Sequence, residues 1–271
     1  MQVTMSAQST GTKLPKSLQV ERRGEIAILR LARPEKRNAL NDPTVLGIGA
    51  FFSSLPDDVK VVVLDAVGDN FSAGLDLSEL AECDTVEGVL HSMMWHRVFE
   101  QIEFGRVPVL AVLKGAVVGG GLELAAATHI RIAERSAYYA LPEGQRGIFV
   151  GGGASVRVSR LIGAARMADM MLTGRVYDAE VGQAIGISHY LVGGAEGLAK
   201  ALELAGKIAA NAPITNFAVI QALPRIAEVN PREGFMMEAL MAAVAQGSDE
   251  AKSACARSWK SAQRKLRNSR A

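Results

Sequence analysis

Three glycines in a row, set directly ahead of an apolar helix that carries an acid, constrain this chain more than any other feature of its 271 residues. In Val117-Val118-Gly119-Gly120-Gly121-Leu122-Glu123-Leu124-Ala125 a β-branched run ends at a point without side chains. A reacting group can therefore approach the backbone closely, and the free N–H groups of the helix start supply donors and positive potential. Such a site can polarise a carbonyl. Twenty residues on, Leu141-Pro142-Glu143-Gly144 brings a second carboxylate in another turn marked by proline and glycine. Two acids and a backbone donor are the parts needed to add or remove water beside a carbonyl.

The glycines do not read as a nucleotide cradle. A dinucleotide fingerprint would need glycine where Leu124 stands, and no Gly-Lys-Ser/Thr follows either triple glycine. Glu123 at the helix start would also repel a phosphate held there. The global charge agrees: 30 Lys and Arg against 28 Asp and Glu leave +2, which argues against a nucleic-acid protein. Cys83 and Cys255 make no C-x-x-C pair and no disulfide framework, which favours a reducing cytosol. The first 16 residues lack the apolar run of a secretory signal and nothing later approaches a membrane span, so the expectation is a cytoplasmic protein.

Residues 18–22 and 25–31 read as a hairpin turning at Arg23-Gly24, and 60–66 and 109–113 as buried strands. Asp42-Pro43 reads as a cap followed by proline, opening a helix to Leu55, and 86–104 has apolar residues at helical spacing. This alternation predicts an α/β domain with crossover connections. Beyond about Gly193 the segments 198–211, 214–223, 234–246 and 249–265 all read helical, with Met236, Met237 and Met241 as packing residues. His91 and His96 flank Trp95 without the i, i+4 spacing of a metal pair, and no metal ligand set emerges. His129 and His189 sit among aliphatic residues and read as structural, and no histidine is tied by motif to Ser72.

Two more segments must be read with the triple-glycine helix and its Pro-Glu: Arg33-Pro34-Glu35-Lys36-Arg37-Asn38-Ala39-Leu40-Asn41 and Asn70-Phe71-Ser72-Ala73-Gly74-Leu75-Asp76-Leu77. In this order and spacing they resemble the crotonase family, the enoyl-CoA hydratase and isomerase superfamily, over about residues 18–265. The resemblance implies a ββα spiral core over residues 17–193, a C-terminal helical trimerisation region over 194–271, and a homotrimer or a homohexamer built as a dimer of trimers. It places an oxyanion hole at the N–H groups of Leu75 and Gly120. It makes Glu123 the acid that deprotonates water attacking C3 of an enoyl thioester, and Glu143 the donor of a proton to C2. Possession of both acids favours a hydratase, a hydro-lyase, over an isomerase.

The same resemblance assigns coenzyme A contacts to Lys36, Arg37, Ala39, Ala73, Asp76 and Leu77, with simple solvent-exposed charge as the competing reading of Lys36 and Arg37. Coenzyme A is then part of the substrate, and no metal or redox cofactor is implied. Ser78 stands where a lysine is often found, which puts one phosphate contact in doubt, and Val150 and Ala154 replace a usual proline and glycine beside the acyl pocket. The run 141–153 further looks like the methylthioacryloyl-CoA hydratases of dimethylsulfoniopropionate breakdown. Competing readings are a general short-chain enoyl-CoA hydratase, an isomerase and, from a different class, an RNA-binding protein using the basic run 257–270.

Overall fold

The computed structural model describes residues 14–79, 84–249 and 252. Cys83, Cys255, the basic run 257–270 and most of the helix expected over 249–265 lie outside the described residues. Two compact units divide the chain between Ile208 and Ala209.

The first unit opens with the hairpin β1 (Leu18–Arg23) and β2 (Ile26–Leu31), turning at Gly24 with φ +60°. Then follow α1 (Asp42–Ser53), β3 (Val61–Ala66), α2 (Thr85–Glu103), β4 (Val109–Leu113), β5 (Ala116–Val118), α3 (Gly120–Ala126), β6 (Ile130–Glu134) and β7 (Tyr138–Ala140). Next come α4 (Ala154–Ile162), α5 (Ala164–Thr173), β8 (Tyr177–Asp178), α6 (Ala179–Ala184), β9 (Tyr190–Val192) and α7 (Gly197–Ala209). The larger sheet has six strands in the order β1-β2-β3-β4-β6-β9, parallel throughout except for the β1–β2 hairpin. A smaller sheet joins β5, β7 and β8.

The two sheets are filled alternately. In successive turns the chain runs along a strand of the large sheet, then along the small layer, and returns by a helix. β4 leads to β5 and α3, and β6 leads to β7. In the earlier turns the small layer is reduced to bridges, Leu40 with Leu75 and Ser72 with Val117. This is the ββα spiral that the motifs implied. Every residue of β3 and β4 is buried, which explains why their sequences, apart from the ion-paired Asp65, are apolar runs: a parallel sheet covered on both faces has no polar side.

Helix boundaries depart from expectation where a neighbouring side chain caps better. α1 is capped by Asn41, whose side chain accepts from the Thr44 N–H, so Asp42 and Pro43 are already inside the helix. α2 starts at a capping box of Asp84 and Glu87 that apolar spacing alone does not reveal. The first unit also extends past the change in character at Gly193: Ala201, Leu204 and Ala205 of α7 are buried, and Glu134 accepts from the Gly197 N–H.

The second unit contains α8 (Pro213–Ile226) and α9 (Pro231–Gly247), which pack on each other. α8 does not stop at Leu223, because Pro224 falls in its last turn, where the missing N–H removes a single bond. Met237 and Met241 are partly buried, whereas Met236 is exposed along with Phe235 and Leu240.

Candidate active site

The first loop is braced by Asn38. Asn38 is buried and left-handed, φ +54°; it accepts from the Arg33 N–H and donates from its amide to the carbonyls of Val67 and Asn70 at 2.9 and 2.8 Å. The neighbouring chain 37–40 then pairs with 73–76: Ala73 N–H donates to Arg37, Leu40 N–H to Gly74, and Asp76 N–H to Leu40. Because the Gly74 carbonyl turns toward Leu40, the Leu75 N–H of the same trans peptide turns the opposite way, toward the cavity.

Gly120 is aimed by the same logic. The Gly119 carbonyl accepts from Leu122 and Glu123 and so begins α3, leaving the Gly120 N–H pointing outward from the helix start. Neither N–H is taken by another described residue. Glycine is required around them. At Gly74, with φ +91°, a Cβ would stand 2.6 Å from the Val118 carbonyl oxygen; at Gly119, with φ +50°, it would stand 2.6 Å from Glu143 Oε1. A Cβ on Gly120 would lie 3.4 Å from the Leu75 nitrogen, so the two amides converge.

Glu123 and Glu143 open onto the cavity that holds these amides, a space of about 220 Å³ also lined by Trp95, Ile148, Phe149, Val150 and Gly152. Their surroundings differ. Glu123, 4% exposed, sits in the first turn of α3, and its Oε1 accepts from the N–H groups of Gly152 and Ala154 at 2.8 and 3.1 Å. Burial raises its carboxyl above the ordinary value, while those amides and the Arg157 charge act against the rise. Glu143, 8% exposed, precedes the short 3-10 turn Gly144–Arg146, and its buried Oε2 has no hydrogen-bond partner among the described residues. Burial pushes it up to about 7, and the Glu123 charge adds to the rise. Burial thus raises both acids, but amides and an arginine charge oppose the rise at Glu123 while a neighbouring carboxylate adds to it at Glu143.

The expected coenzyme A contacts fall into groups. Ala73 and Leu77 line the cavity. Lys36 and Arg37 are exposed on the 3-10 turn Pro34–Lys36 and its cap. Ala39 and Asp76 are tied to Arg33, which donates to the Ala39 carbonyl at 3.0 Å and to Asp76 Oδ2 at 2.9 Å. Ser78 donates to the other Asp76 oxygen at 2.7 Å, and with Arg33 it holds that carboxyl down to about 2.

The histidines separate in the same way. His129 and His189 each accept a backbone N–H, from Val109 and Arg131, as structural histidines do. His91 lines the cavity and pairs with Asp42 at 2.8 Å. Ser72 supports a turn: its hydroxyl donates to the Asn38 carbonyl and accepts from the Gly74 N–H. Sequence reasoning missed Trp95 as a wall of the site. A Cβ on Gly120 would meet its ring at 2.9 Å and one on Gly152 at 3.1 Å, but a lone tryptophan in a helix carries no signal of that position. It also missed the amides of Gly152 and Ala154 as the anchors of Glu123.

The chain matches the enoyl-CoA hydratase/isomerase family over residues 21–263. It is 34% identical to the short-chain-enoyl-CoA hydratase of Clostridium acetobutylicum, over 72% of this chain and 76% of that one. With the crotonyl-CoA hydratase of Syntrophomonas wolfei it shares 32% identity, over 70% of this chain and 74% of that one. A crystal structure from Rhodopseudomonas palustris, named for an enoyl-CoA hydratase, superposes with a TM-score of 0.90 at 56% identity, covering 94% of this chain and 99% of the other. With two acids and two converging amides in one cavity of a ββα spiral, this chain belongs to the enoyl-CoA hydratase/isomerase family.

Proposed function

We propose that this protein adds water across the double bond of a short α,β-unsaturated acyl-CoA. The reading is carried by one observation: Glu123, Glu143, Leu75 and Gly120 line a single cavity. The thioester oxygen accepts from the Leu75 and Gly120 N–H groups, which stabilise negative charge on it as the enolate forms. Glu123, held as a carboxylate, takes a proton from the water attacking C3, and Glu143, held protonated, delivers one to C2. Water is added without oxidation or reduction, so the step needs no redox group, and coenzyme A enters as part of the substrate. Ala73 and Leu77 on the cavity wall, Asp76 next to Leu77, and Lys36, Arg37 and Ala39 in or beside the segment 37–40 that pairs with 73–76 are the proposed contacts of its nucleotide arm. The activities named for the Clostridium and Syntrophomonas relatives support the same reaction. Incubation with crotonyl-CoA tests it: absorbance of the conjugated thioester falls. No loss with any small enoyl-CoA, alongside a gain from a 3-enoyl substrate, would make the protein an isomerase instead.

A finer reading names the acyl group. Val150 stands in the wall of the cavity, in the run 141–153 that looks like methylthioacryloyl-CoA hydratases. Water added to C3 of methylthioacryloyl-CoA gives a thiohemiacetal that expels methanethiol and leaves an aldehyde-bearing acyl-CoA. A second water hydrolyses that thioester with help from Glu123, and the β-oxo acid loses carbon dioxide to give acetaldehyde. Free thiol and free coenzyme A are both expected from that substrate. Finding neither removes this version and leaves crotonyl-CoA hydration standing.

The proposed assembly is a homotrimer or homohexamer in the cytoplasm. Exposed Phe217, Leu223, Phe235 and Leu240 on α8 and α9 support the assembly. No described helix is long and apolar enough to cross a membrane. Light scattering giving the mass of a single chain would contradict the assembly.

A further inference from the structure

A second layer stands behind Glu123. Gly152, whose N–H meets Glu123 Oε1, has its own carbonyl held by Arg157 Nη1 at 3.1 Å. Arg157 lies on α4 and is buried, 8% exposed, and its Nε donates to Glu103 Oε2 on α2 at 2.6 Å. The Gly152 N–H is thus fixed by the acid, and the Gly152 carbonyl, in the following peptide, by a partly buried ion pair that joins two helices. Glu143 Oε2 has no hydrogen-bond partner among the described residues.

We propose that Arg157, held by Glu103, is a positioning residue for Glu123: by fixing the Gly152 carbonyl it steadies the loop whose Gly152 and Ala154 N–H groups meet Oε1, and its charge favours the ionised form of the acid. The inference rests on the hydratase reading, in which Glu123 is the base. The other charged or titratable groups facing Glu123 are few. From the 3-10 turn come Glu143, which opposes ionisation, and the exposed Arg146; from α2 come His91, on the cavity wall, and His96, beside Gly153. Arg160 on α4 stands 4.0 Å from Glu103 Oε1 and belongs to the same ion-pair group. Of these cations only Arg157 is both buried and bonded to the loop that holds Glu123.

The signature is a pair of opposite shifts. In Arg157→Met the acid limb of kcat/KM moves up by roughly one pH unit, because an opposite charge has been taken away from the carboxylate. Arg157→Lys keeps the charge but not the fork, and restores most of the limb. Glu103→Gln keeps an acceptor for Arg157 and removes the neutralising charge, so the limb stays in place or moves down. A merely structural pair would give Arg157→Met and Glu103→Gln shifts of the same sign, or falling activity with an unmoved limb, and either result overturns the proposal. Carbon-13 NMR titration of the Glu123 carboxyl, assigned by its loss in Glu123→Gln, reads the same shift without turnover. If the wild-type protein hydrates no enoyl-CoA, the functional reading fails while that titration still decides the role of Arg157. Should Arg157→Met not fold, Arg157→Lys and Glu103→Gln carry the test: an acid limb and carboxyl titration that move up by roughly one pH unit in Arg157→Lys, or up at all in Glu103→Gln, would overturn it.

Discussion

The Gly152 N–H reaches Glu123 Oε1 at 2.8 Å, and this bond separates two otherwise similar buried acids, since Oε2 of Glu143 meets no donor among the described residues. Glu123 and Glu143 share a cavity and burial raises both carboxyls; at Glu123 the Gly152 and Ala154 amides and the Arg157 charge act against the rise, and at Glu143 the Glu123 charge adds to it.

Removal of either acid is expected to stop the reaction rather than substrate binding. Glu123→Gln and Glu143→Gln each lower kcat by about 10²–10⁴-fold with KM nearly unchanged. The absorbance assay on crotonyl-CoA checks this. A variant with full kcat and a raised KM would make its residue a binding group.

The rate should follow a bell in pH. Glu123 must be ionised and Glu143 protonated, so kcat/KM falls at low pH as Glu123 gains a proton and falls above about 7 as Glu143 loses one. A profile between about pH 5 and 9 measures it. Activity still climbing at the alkaline end is incompatible with Glu143 as the proton donor.

Stability should run against function at Glu143. Its folded value of about 7 lies above the ordinary 4.5, so the folded state holds a proton that the unfolded chain releases between those values. The associated stability is fully present below the ordinary value and is lost as pH rises through the folded one. Glu143→Gln has no proton to lose. It should therefore melt higher than wild type at about pH 8, by on the order of 1–3 kcal/mol in stability, with the advantage shrinking toward about pH 5. Thermal melts at the two pH values test this, and an advantage that grows toward acid would refute it.

Gly74 has no room for a side chain. Alanine there adds left-handed strain at φ +91° and a contact 2.6 Å from the Val118 carbonyl, and neither can relax without moving the Leu75 N–H. Gly74→Ala should cost about 1–3 kcal/mol in stability and roughly 10²–10³ in kcat. In Gly120→Ala the new atom meets the Trp95 ring, a side chain that can shift, so the protein should fold more nearly as wild type. Denaturant melts and turnover of the two variants separate these cases. Equal stability for both would mean that the Val118 contact is not limiting.

Much of the fold is legible because it depends on local pattern. The runs at 60–66 and 109–113 could only be buried strands, and both glutamates stand beside glycines whose backbone freedom marks a close approach. The small sheet was not legible, since β5, β7 and β8 are two or three residues long and exist only because the neighbouring turn of the spiral pairs with them. Asn41 displaced Asp42 as the cap of α1 for a similar reason: both residues can cap, and only the path of the chain selects one.

By itself the sequence determined which groups are available: two acids, two glycine turns able to present amides, and an alternation of strand and helix that must wind into an α/β layer. Only the tertiary structure decided what each group does. Protonation depends on donors and charges brought together from distant segments: Gly152 and Arg157, some thirty residues from Glu123, act against the rise that burial imposes on that acid. Glu143, chemically identical, has an Oε2 with no partner among the described residues, and burial pushes its carboxyl up to about 7, because burial penalises charge.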